Sequence, residues 1–176
     1  MNELNLVEEN YNIWTNFPFD KKTISKVKDL KKNNIEDFND SFYSDLSFGT
    51  GGMRGVVGLG PNRVNQYTFG KNTQGISNFI NKISIKKESV VIAYDCRNQS
   101  KELANQVADV FSSNGIKVYL FSSIRPTPEL SFALLELKCI CGVVLTASHN
   151  PPEYNGYKVY WEDGGQIVPP IDKKLI

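Results

Sequence analysis

The chain has 176 residues, a formal net charge of +1 and 40% hydrophobic residues. This length suits one domain of ordinary size with room for an appended segment, and the hydrophobic content is sufficient for a folded core. The near-neutral charge excludes the broad basic surface that nucleic-acid binding requires, and no apolar run approaches the roughly 18 residues of a membrane helix. We therefore expect neither nucleic acid nor a membrane among its partners.

The first 40 residues are predicted to form a helical lead-in that packs on the rest of the chain. Apolar residues recur at a spacing of three within 23–32, and a second helix is predicted over 34–43. The acidic start of the chain lacks the apolar core of a signal peptide, so we expect a cytoplasmic location and three reduced cysteines. We assign residues 1–40 to this lead-in and residues 41–176 to the main domain.

Helices and strands alternate through the main domain. The predicted helices and strands are 68–83 (helix), 89–95 (strand), 99–113 (helix), 116–121 (strand), 127–137 (helix), 140–145 (strand) and 156–161 (strand). The continuous apolar run over 89–95 is typical of a strand that is buried on both faces. The pattern predicts an α/β fold, specifically a three-layer α/β/α sandwich with a mixed, largely parallel sheet.

The last nine residues, 168–176, have the pattern of a helix start with proline in the first turn. Because so short a helix is marginal by itself, we interpret the chain as part of a longer one.

The segment TASHNPP, residues 146–152, follows the predicted strand 140–145. Ligands of open α/β sheets collect at the carboxyl ends of strands, which is where Ser148 falls. Asn150 precedes a proline and is therefore extended, and two successive prolines stiffen the turn. The segment is either an ordinary turn, since serine, asparagine and proline all favour turns, or a rigid support for a reactive hydroxyl.

Acyl transfer is not the chemistry that this serine suits. His149 is the only histidine in the chain and is adjacent to Ser148, so the two side chains diverge and His149 cannot act as a triad base. The Gly-x-Ser-x-Gly elbow of the hydrolases is also missing. Phosphoryl transfer depends chiefly on positioning and charge neutralisation, and a serine without a base suits it better.

A glycine cluster over 49–55 is a candidate phosphate site. Thr50 and Gly52 offer backbone N–H groups, and Arg54 adds a guanidinium. The cluster lacks the Gly-Lys-Ser/Thr of a Walker loop. The alternative is a flexible turn between two elements.

Two further positions carry groups that suit an anion. Arg97 and Ser100 lie where a strand ends and a helix begins, and there they either hold an anion or brace neighbouring loops. Lys158 lies ten residues after Ser148 on the return strand. It is either a solvated surface residue or, beside a phosphoserine, a proton donor.

These motifs resemble those of the α-D-phosphohexomutase family, which includes phosphoglucomutases and phosphomannomutases. Residues 146–151 together with 155–158 resemble the family's active-site signature, and residues 48–55 followed by 62–65 resemble its N-terminal glycine–arginine motif. The long lead-in is similar to that of the phosphoglucomutase/phosphopentomutase branch. The resemblance covers roughly residues 40–170, with the motifs in the family's order.

The resemblance implies the first domain of a four-domain enzyme that interconverts sugar 1-phosphates and 6-phosphates through a bisphosphate intermediate. Ser148 would carry the phosphoryl group and, once phosphorylated, would bind Mg²⁺. His149 and Lys158 would take part in proton transfer. The remaining candidates for substrate and phosphate binding are Arg54, Gly52, Thr50, Arg97, Ser100 and Asn150.

The family's Asp-x-Asp-x-Asp metal loop belongs to its second domain and does not occur in this sequence. We therefore expect this chain alone to be inactive, with sugar phosphates and the remaining domains of the same enzyme as its partners. Glucose, mannose and pentose phosphates remain alternative substrates. A non-enzymatic phosphosugar-binding module is the alternative function if the chain is naturally short.

Overall fold

A computed structural model describes residues 3–49, 51–84 and 88–170. Its elements in chain order are α1 (Glu3–Trp14), α2 (Lys21–Asn33), α3 (Ile35–Phe42), β1 (Gly52–Val56), α4 (Gln66–Ile83), β2 (Ser89–Tyr94), α5 (Ser100–Ser113), β3 (Lys117–Leu120), α6 (Thr127–Glu136), β4 (Cys141–Leu145) and β5 (Tyr154–Trp161). Thr50 and most of the helix predicted over 168–176 lie outside the described residues. The other predicted helices and strands are present, and α1 and β1 are two elements that were not predicted.

The five strands form one mixed sheet in the order β1-β5-β4-β2-β3. β2 pairs in parallel with β3 and β4, whereas β5 pairs antiparallel with β4 and β1. Four strands therefore run in one direction and β5 runs against them, which confirms the mixed, largely parallel sheet.

Alternating side chains of the strands separate two apolar cores. Val90 and Ile92 of β2 pack into the core that α4 and α5 cover, while Val91 of the same strand packs with Leu130 and Leu134 of α6. Each of these β2 side chains is almost fully buried. Helices on both faces of a central sheet give the predicted α/β/α sandwich.

The three lead-in helices enclose a small apolar cluster of their own, made of Val7, Trp14, Val27, Phe38 and Phe42. Tyr67 of α4 packs against this cluster, and the nearly buried Arg63 forms ion pairs with Asp37 (2.8 Å) and Asp40 (2.6 Å). These contacts join the lead-in to the start of α4 and to the segment that precedes it. The helix α3 continues past residue 40, the boundary expected from the sequence. None of the described helices is both long and apolar enough to span a membrane.

Candidate active site

Ser148 lies on a tight turn just after the carboxyl end of β4. The Asn150 N–H donates to the Ala147 carbonyl at 3.0 Å, and the Ser148 N–H donates to Oγ1 of Thr146 at 2.9 Å. Ser148 is exposed and has a φ of 56°, a left-handed conformation that few non-glycine residues adopt. Such a conformation costs on the order of 1–3 kcal/mol and is concentrated at functional sites, where surrounding contacts maintain it.

Lys158 of β5 contacts this serine directly. Its Nζ donates a hydrogen bond of 2.7 Å to Oγ of Ser148. In the sheet, Lys158 lies between Val144 of β4 and Gly52 of β1. Burial lowers the pKa of Lys158 below its ordinary value and the nearby charge of Arg54 lowers it further, with Asp95 acting in the opposite direction. A lysine in this environment exchanges its proton more readily than a solvated one.

Arg54 of β1 adds a second cation to the same face of the sheet. It pairs with Gly156 two residues along from the Gly52–Lys158 pair, so alternation places the side chains of Arg54 and Lys158 on one face. Arg54 is exposed, and one of its N–H groups donates to Oδ1 of Asn150 at 3.3 Å. The structure therefore brings the serine turn together with two cationic side chains from β1 and β5.

Gly52 has a packing role in this arrangement. Its N–H donates to the Gly49 carbonyl at 3.1 Å, so it is already paired rather than directed at an anion. A Cβ at Gly52 would lie 2.1 Å from the carbonyl oxygen of Tyr157 and 2.9 Å from Cα of Lys158, and φ is 152°. The glycine thus permits the close approach of β1 to the strand that carries Lys158.

Gly52→Ala is expected to destabilise the protein by about 3 kcal/mol or more, because a backbone clash and an unfavourable φ act together. Gly70→Ala is the matched control, since a Cβ at this position of α4 meets nothing within 4 Å. That control should gain roughly 0.5–1 kcal/mol from higher helix propensity. Thermal unfolding of the two variants in parallel measures both effects, and equal stability of Gly52→Ala and the unsubstituted protein would contradict the packing role.

Arg97 lies in the loop between β2 and α5, and its contacts favour the loop-bracing alternative. Its guanidinium donates to the carbonyl oxygens of Ser148, Asn150, Pro151 and Tyr154, at distances of 2.7–2.9 Å. Its Nε lies 3.4 Å from Oδ2 of Asp95. These partners are all groups of the protein itself.

Ser100 is fully buried at the start of α5, so its hydroxyl does not face an anion in solvent. It donates to Oδ1 of Asp95 at 3.0 Å and accepts from Nδ2 of Asn155 at 2.9 Å. Its contacts thus favour support of Asp95 over phosphate binding.

His149 is exposed next to Ser148, and its side chain makes no hydrogen bond to any other described residue. Thr50 lies outside the part of the chain that the structure describes. Their expected roles in proton transfer and phosphate binding remain predictions.

Three residues of the site were given no role of their own from the sequence, although Thr146 and Asn155 belong to the signature over 146–151 and 155–158. Asp95 accepts hydrogen bonds from both Ser100 and the Arg97 N–H, Asn155 is fully buried at the start of β5, and Thr146 caps the N–H of Ser148. Asp95 directly follows a buried strand, and the carboxyl ends of strands are where ligands bind in open α/β sheets, so this carboxylate was a recognisable candidate. Asn155 resembles an ordinary turn residue, so its burial carries no signal in a single sequence.

The described residues do not complete a magnesium site. Mg²⁺ requires near-octahedral oxygen ligands, chiefly carboxylates. Within residues 3–49, 51–84 and 88–170, no group of three or more His, Cys, Asp or Glu side chains could hold a metal. Both oxygens of Asp95, which lies near the site, already face Arg97 and Ser100. These residues alone do not fit the metal that the resemblance implies.

Comparison with known proteins agrees with this geometry. The family model described as phosphoglucomutase/phosphomannomutase, alpha/beta/alpha domain I, matches residues 45–176. A phosphopentomutase of Homo sapiens is 39% identical over 171 residues, which are 92% of this chain and 28% of the relative. A phosphoglucomutase of Staphylococcus epidermidis (strain RP62A) is 46% identical over 144 residues, which are 81% of this chain and 26% of the relative.

A solved phosphoglucomutase/phosphomannomutase family protein from Burkholderia thailandensis has a TM-score of 0.63 and 27% identity, covering 75% of this chain and 29% of its own. This chain thus spans less than a third of the length of the proteins it matches. The family model matches three quarters of the chain and describes the same three-layer fold, which is sufficient evidence of family membership. The chain belongs to the phosphoglucomutase/phosphomannomutase family, in which it matches the α/β/α domain I.

Proposed function

We propose that this domain carries the phosphoryl group of a mutase that interconverts sugar 1-phosphates and 6-phosphates, acting within a longer polypeptide like those of its relatives. The hydrogen bond of 2.7 Å from Nζ of Lys158 to Oγ of Ser148 carries the proposal. This hydrogen bond joins a candidate nucleophile, held on a turn, to a cationic proton donor. His149, the only histidine in the sequence, is not placed to act as a triad base. That combination suits phosphoryl transfer and does not suit acyl transfer.

The first half-reaction transfers the phosphoryl group from Ser148 to a free hydroxyl of a sugar monophosphate. The bond between Oγ and phosphorus breaks as the bond between the sugar oxygen and phosphorus forms. Lys158, already in contact with Oγ, supplies the proton that the leaving serine oxygen requires. His149, exposed beside Ser148, is the proposed acceptor of the proton that the sugar hydroxyl loses.

The second half-reaction returns the other phosphoryl group of the reoriented bisphosphate to Ser148. Lys158 now accepts the serine proton, which requires the neutral amine. Burial and the charge of Arg54 lower the pKa of Lys158, so this form is more accessible than in a solvated lysine. One side chain can therefore act as acid in one half-reaction and base in the other.

Arg54 is proposed to bind the substrate or transferring phosphate. One of its N–H groups contacts Asn150, which orients the exposed guanidinium over the serine turn. A guanidinium matches the geometry of phosphate oxygens and neutralises their charge.

Mg²⁺ is proposed to bind the phosphorylated Ser148 together with carboxylates from other domains, where it would neutralise charge on the phosphoryl group. Because the described residues do not form its ligand set, we propose that this chain alone has no turnover. A cytoplasmic location is also proposed, supported by the free thiols of Cys96, Cys139 and Cys141.

Glucose phosphate is the proposed substrate, with pentose and mannose phosphates as alternatives. Relatives named phosphoglucomutase and phosphopentomutase match at similar identities, so this domain does not decide between the sugars. Initial rates of the purified whole protein on glucose, mannose and ribose 1-phosphates test the proposal. We expect isomerisation of at least one, with glucose 1-phosphate having the highest kcat/KM. Failure with all three, in the presence of Mg²⁺ and a sugar bisphosphate primer, would contradict mutase function.

A further inference from the structure

We propose that Arg97, anchored on Asp95, is a positioning residue that holds Ser148 in the conformation required for phosphoryl transfer. This inference rests on the proposed function of Ser148. It assigns Arg97 a role that differs from phosphate binding, the use that a free guanidinium near a phosphoryl site would ordinarily suggest.

The hydrogen bonds of Arg97 leave no donor for a substrate. A guanidinium carries five N–H groups and no acceptor. Nη1 of Arg97 donates to the carbonyls of Pro151 (2.8 Å) and Tyr154 (2.9 Å), and Nη2 donates to those of Ser148 (2.9 Å) and Asn150 (2.7 Å). Nε forms the ion pair with Asp95, and the side chain is only 11% exposed. All three nitrogens thus contact the protein itself.

Within the serine loop, the Asn150 N–H donates to the Ala147 carbonyl and the Tyr154 N–H to the Pro151 carbonyl, and the Arg97 guanidinium adds four contacts to carbonyls of this loop. Pro151 and Pro152 carry no N–H group, so they cannot donate to the loop carbonyls. The Arg97 guanidinium donates hydrogen bonds to carbonyls that precede the two prolines and to one that follows them. Carbonyls along the loop are therefore attached to one residue, Arg97, in the segment between β2 and α5.

The contact with the Ser148 carbonyl acts on the residue that carries the chemistry. Ser148 has a φ of 56°, and a strained residue of this kind persists only where surrounding contacts determine it. Arg97 fixes the peptide group after Ser148, while Thr146 fixes the N–H before it. Together they set the direction of the Cα–Cβ bond, which brings Oγ to 2.7 Å from Nζ of Lys158.

The brace is anchored in the buried part of the domain. Oδ1 of Asp95 accepts from the Arg97 N–H and from the hydroxyl of Ser100, each at 3.0 Å. The Ser100 hydroxyl accepts in turn from the side chain of Asn155, and both residues are fully buried. Supports from α5 and β5 therefore converge on Asp95, which follows β2 and anchors Arg97, as a precisely positioned site requires.

Arg97 acts through Ser148 and contacts neither substrate nor phosphate in this scheme, so its loss should lower kcat without weakening substrate binding. A misplacement of about 1 Å at a reacting group costs on the order of 100-fold in rate, which is the loss in kcat expected for Arg97→Ala. Arg97→Lys retains the charge but not the planar set of donors, so we expect a smaller loss of roughly tenfold. The KM for sugar 1-phosphate should stay within about twofold in both variants.

The test compares kcat, KM and the thermal unfolding temperature of the whole protein with those of Arg97→Ala, Arg97→Lys and Arg63→Lys. Arg63 is a matched control because it is also nearly buried with several hydrogen bonds, yet its partners Asp37 and Asp40 belong to the lead-in. Arg63→Lys should lower the unfolding temperature while kcat stays within twofold. The proposal requires a fall in kcat for both Arg97 variants that exceeds any effect of Arg63→Lys.

The proposal is overturned if the Arg97 variants retain full kcat, or if KM rises while kcat is unchanged, since the latter identifies a phosphate-binding arginine. If Arg97→Ala does not fold, Arg97→Lys and its KM-against-kcat pattern decide the question. Ser148→Ala in the same series separates this inference from the proposed function. Turnover that survives in Ser148→Ala contradicts the phosphoserine mechanism, whereas turnover that survives only in the Arg97 variants contradicts the brace alone.

Discussion

Ser148→Ala is expected to abolish mutase turnover of the whole protein, with kcat falling by at least about 10⁴-fold. The serine oxygen is the only proposed carrier of the phosphoryl group, and alanine offers no atom that can form that bond. Stability should change by less than about 1 kcal/mol, because Ser148 is exposed and alanine has a similar cost at a φ of 56°.

A coupled assay of glucose 1-phosphate conversion measures this loss. Ser112→Ala is the matched control, since Ser112 is an exposed serine near the end of α5, an element that contributes no proposed catalytic side chain. The control should retain kcat within twofold. Turnover by Ser148→Ala within tenfold of the unsubstituted protein would exclude Ser148 as the carrier.

Lys158→Met is expected to lower the rate of phosphoryl transfer from the phosphorylated protein to sugar phosphate by roughly 10²–10⁴-fold, the usual contribution of a general acid. Methionine retains much of the aliphatic stem but cannot donate to Oγ of Ser148. Lys158→Arg should recover part of the rate, because arginine restores a cationic donor but does not readily release a proton.

The pH dependence of phosphoryl transfer is expected to identify Lys158 as the acid. Its pKa lies below the ordinary value of 10.5 through burial and through the charge of Arg54. The protonated amine is lost as pH rises through the pKa of Lys158, so transfer from phosphoserine should decline on the alkaline side. Arg54→Gln removes a charge that lowers the pKa, and should therefore shift this decline to higher pH.

Single-turnover rates of the phosphorylated protein over a pH series measure both effects. Lys158→Arg should lack the alkaline decline, because a guanidinium stays protonated throughout the range. An unchanged alkaline decline in Lys158→Met would assign the titration to another group and contradict the role of Lys158.

Much of the fold was predictable because most individual helices and strands have a clear apolar pattern in the sequence. The run over Ser89–Tyr94 is apolar throughout because β2 has a core on each face. β1 was missed, since Gly52 and Gly55 interrupt any alternation and the strand forms by pairing with β5 at the sheet edge. Strand formation of this kind depends on tertiary context rather than on intrinsic propensity.

The lead-in shows a similar limit. Its first helix, α1, was not predicted. α1 is stabilised by burial of Val7 and Trp14 against the other lead-in helices. Helices of this length owe most of their stability to such packing, which a local pattern does not reveal.

At the site, the ten-residue interval between Ser148 and Lys158 was enough to suggest proximity, because a turn followed by a return strand brings its ends together. The sequence alone did not decide between the two roles considered for Arg97. An arginine just after a strand can either bind an anion or brace neighbouring loops. The positions of the Ser148, Pro151 and Tyr154 carbonyls distinguish these two roles. Those positions depend on the pairing of β4 with β5, a long-range contact.

The most direct test of the central claim is the location of the phosphoryl group after the whole protein is incubated with a sugar 1,6-bisphosphate. Peptide mapping by mass spectrometry should find one phosphoryl group, on Ser148, and it should be lost when a sugar monophosphate is added. A turnover-competent protein that is phosphorylated at another residue, or at none, would contradict the claim that Ser148 carries the phosphoryl group.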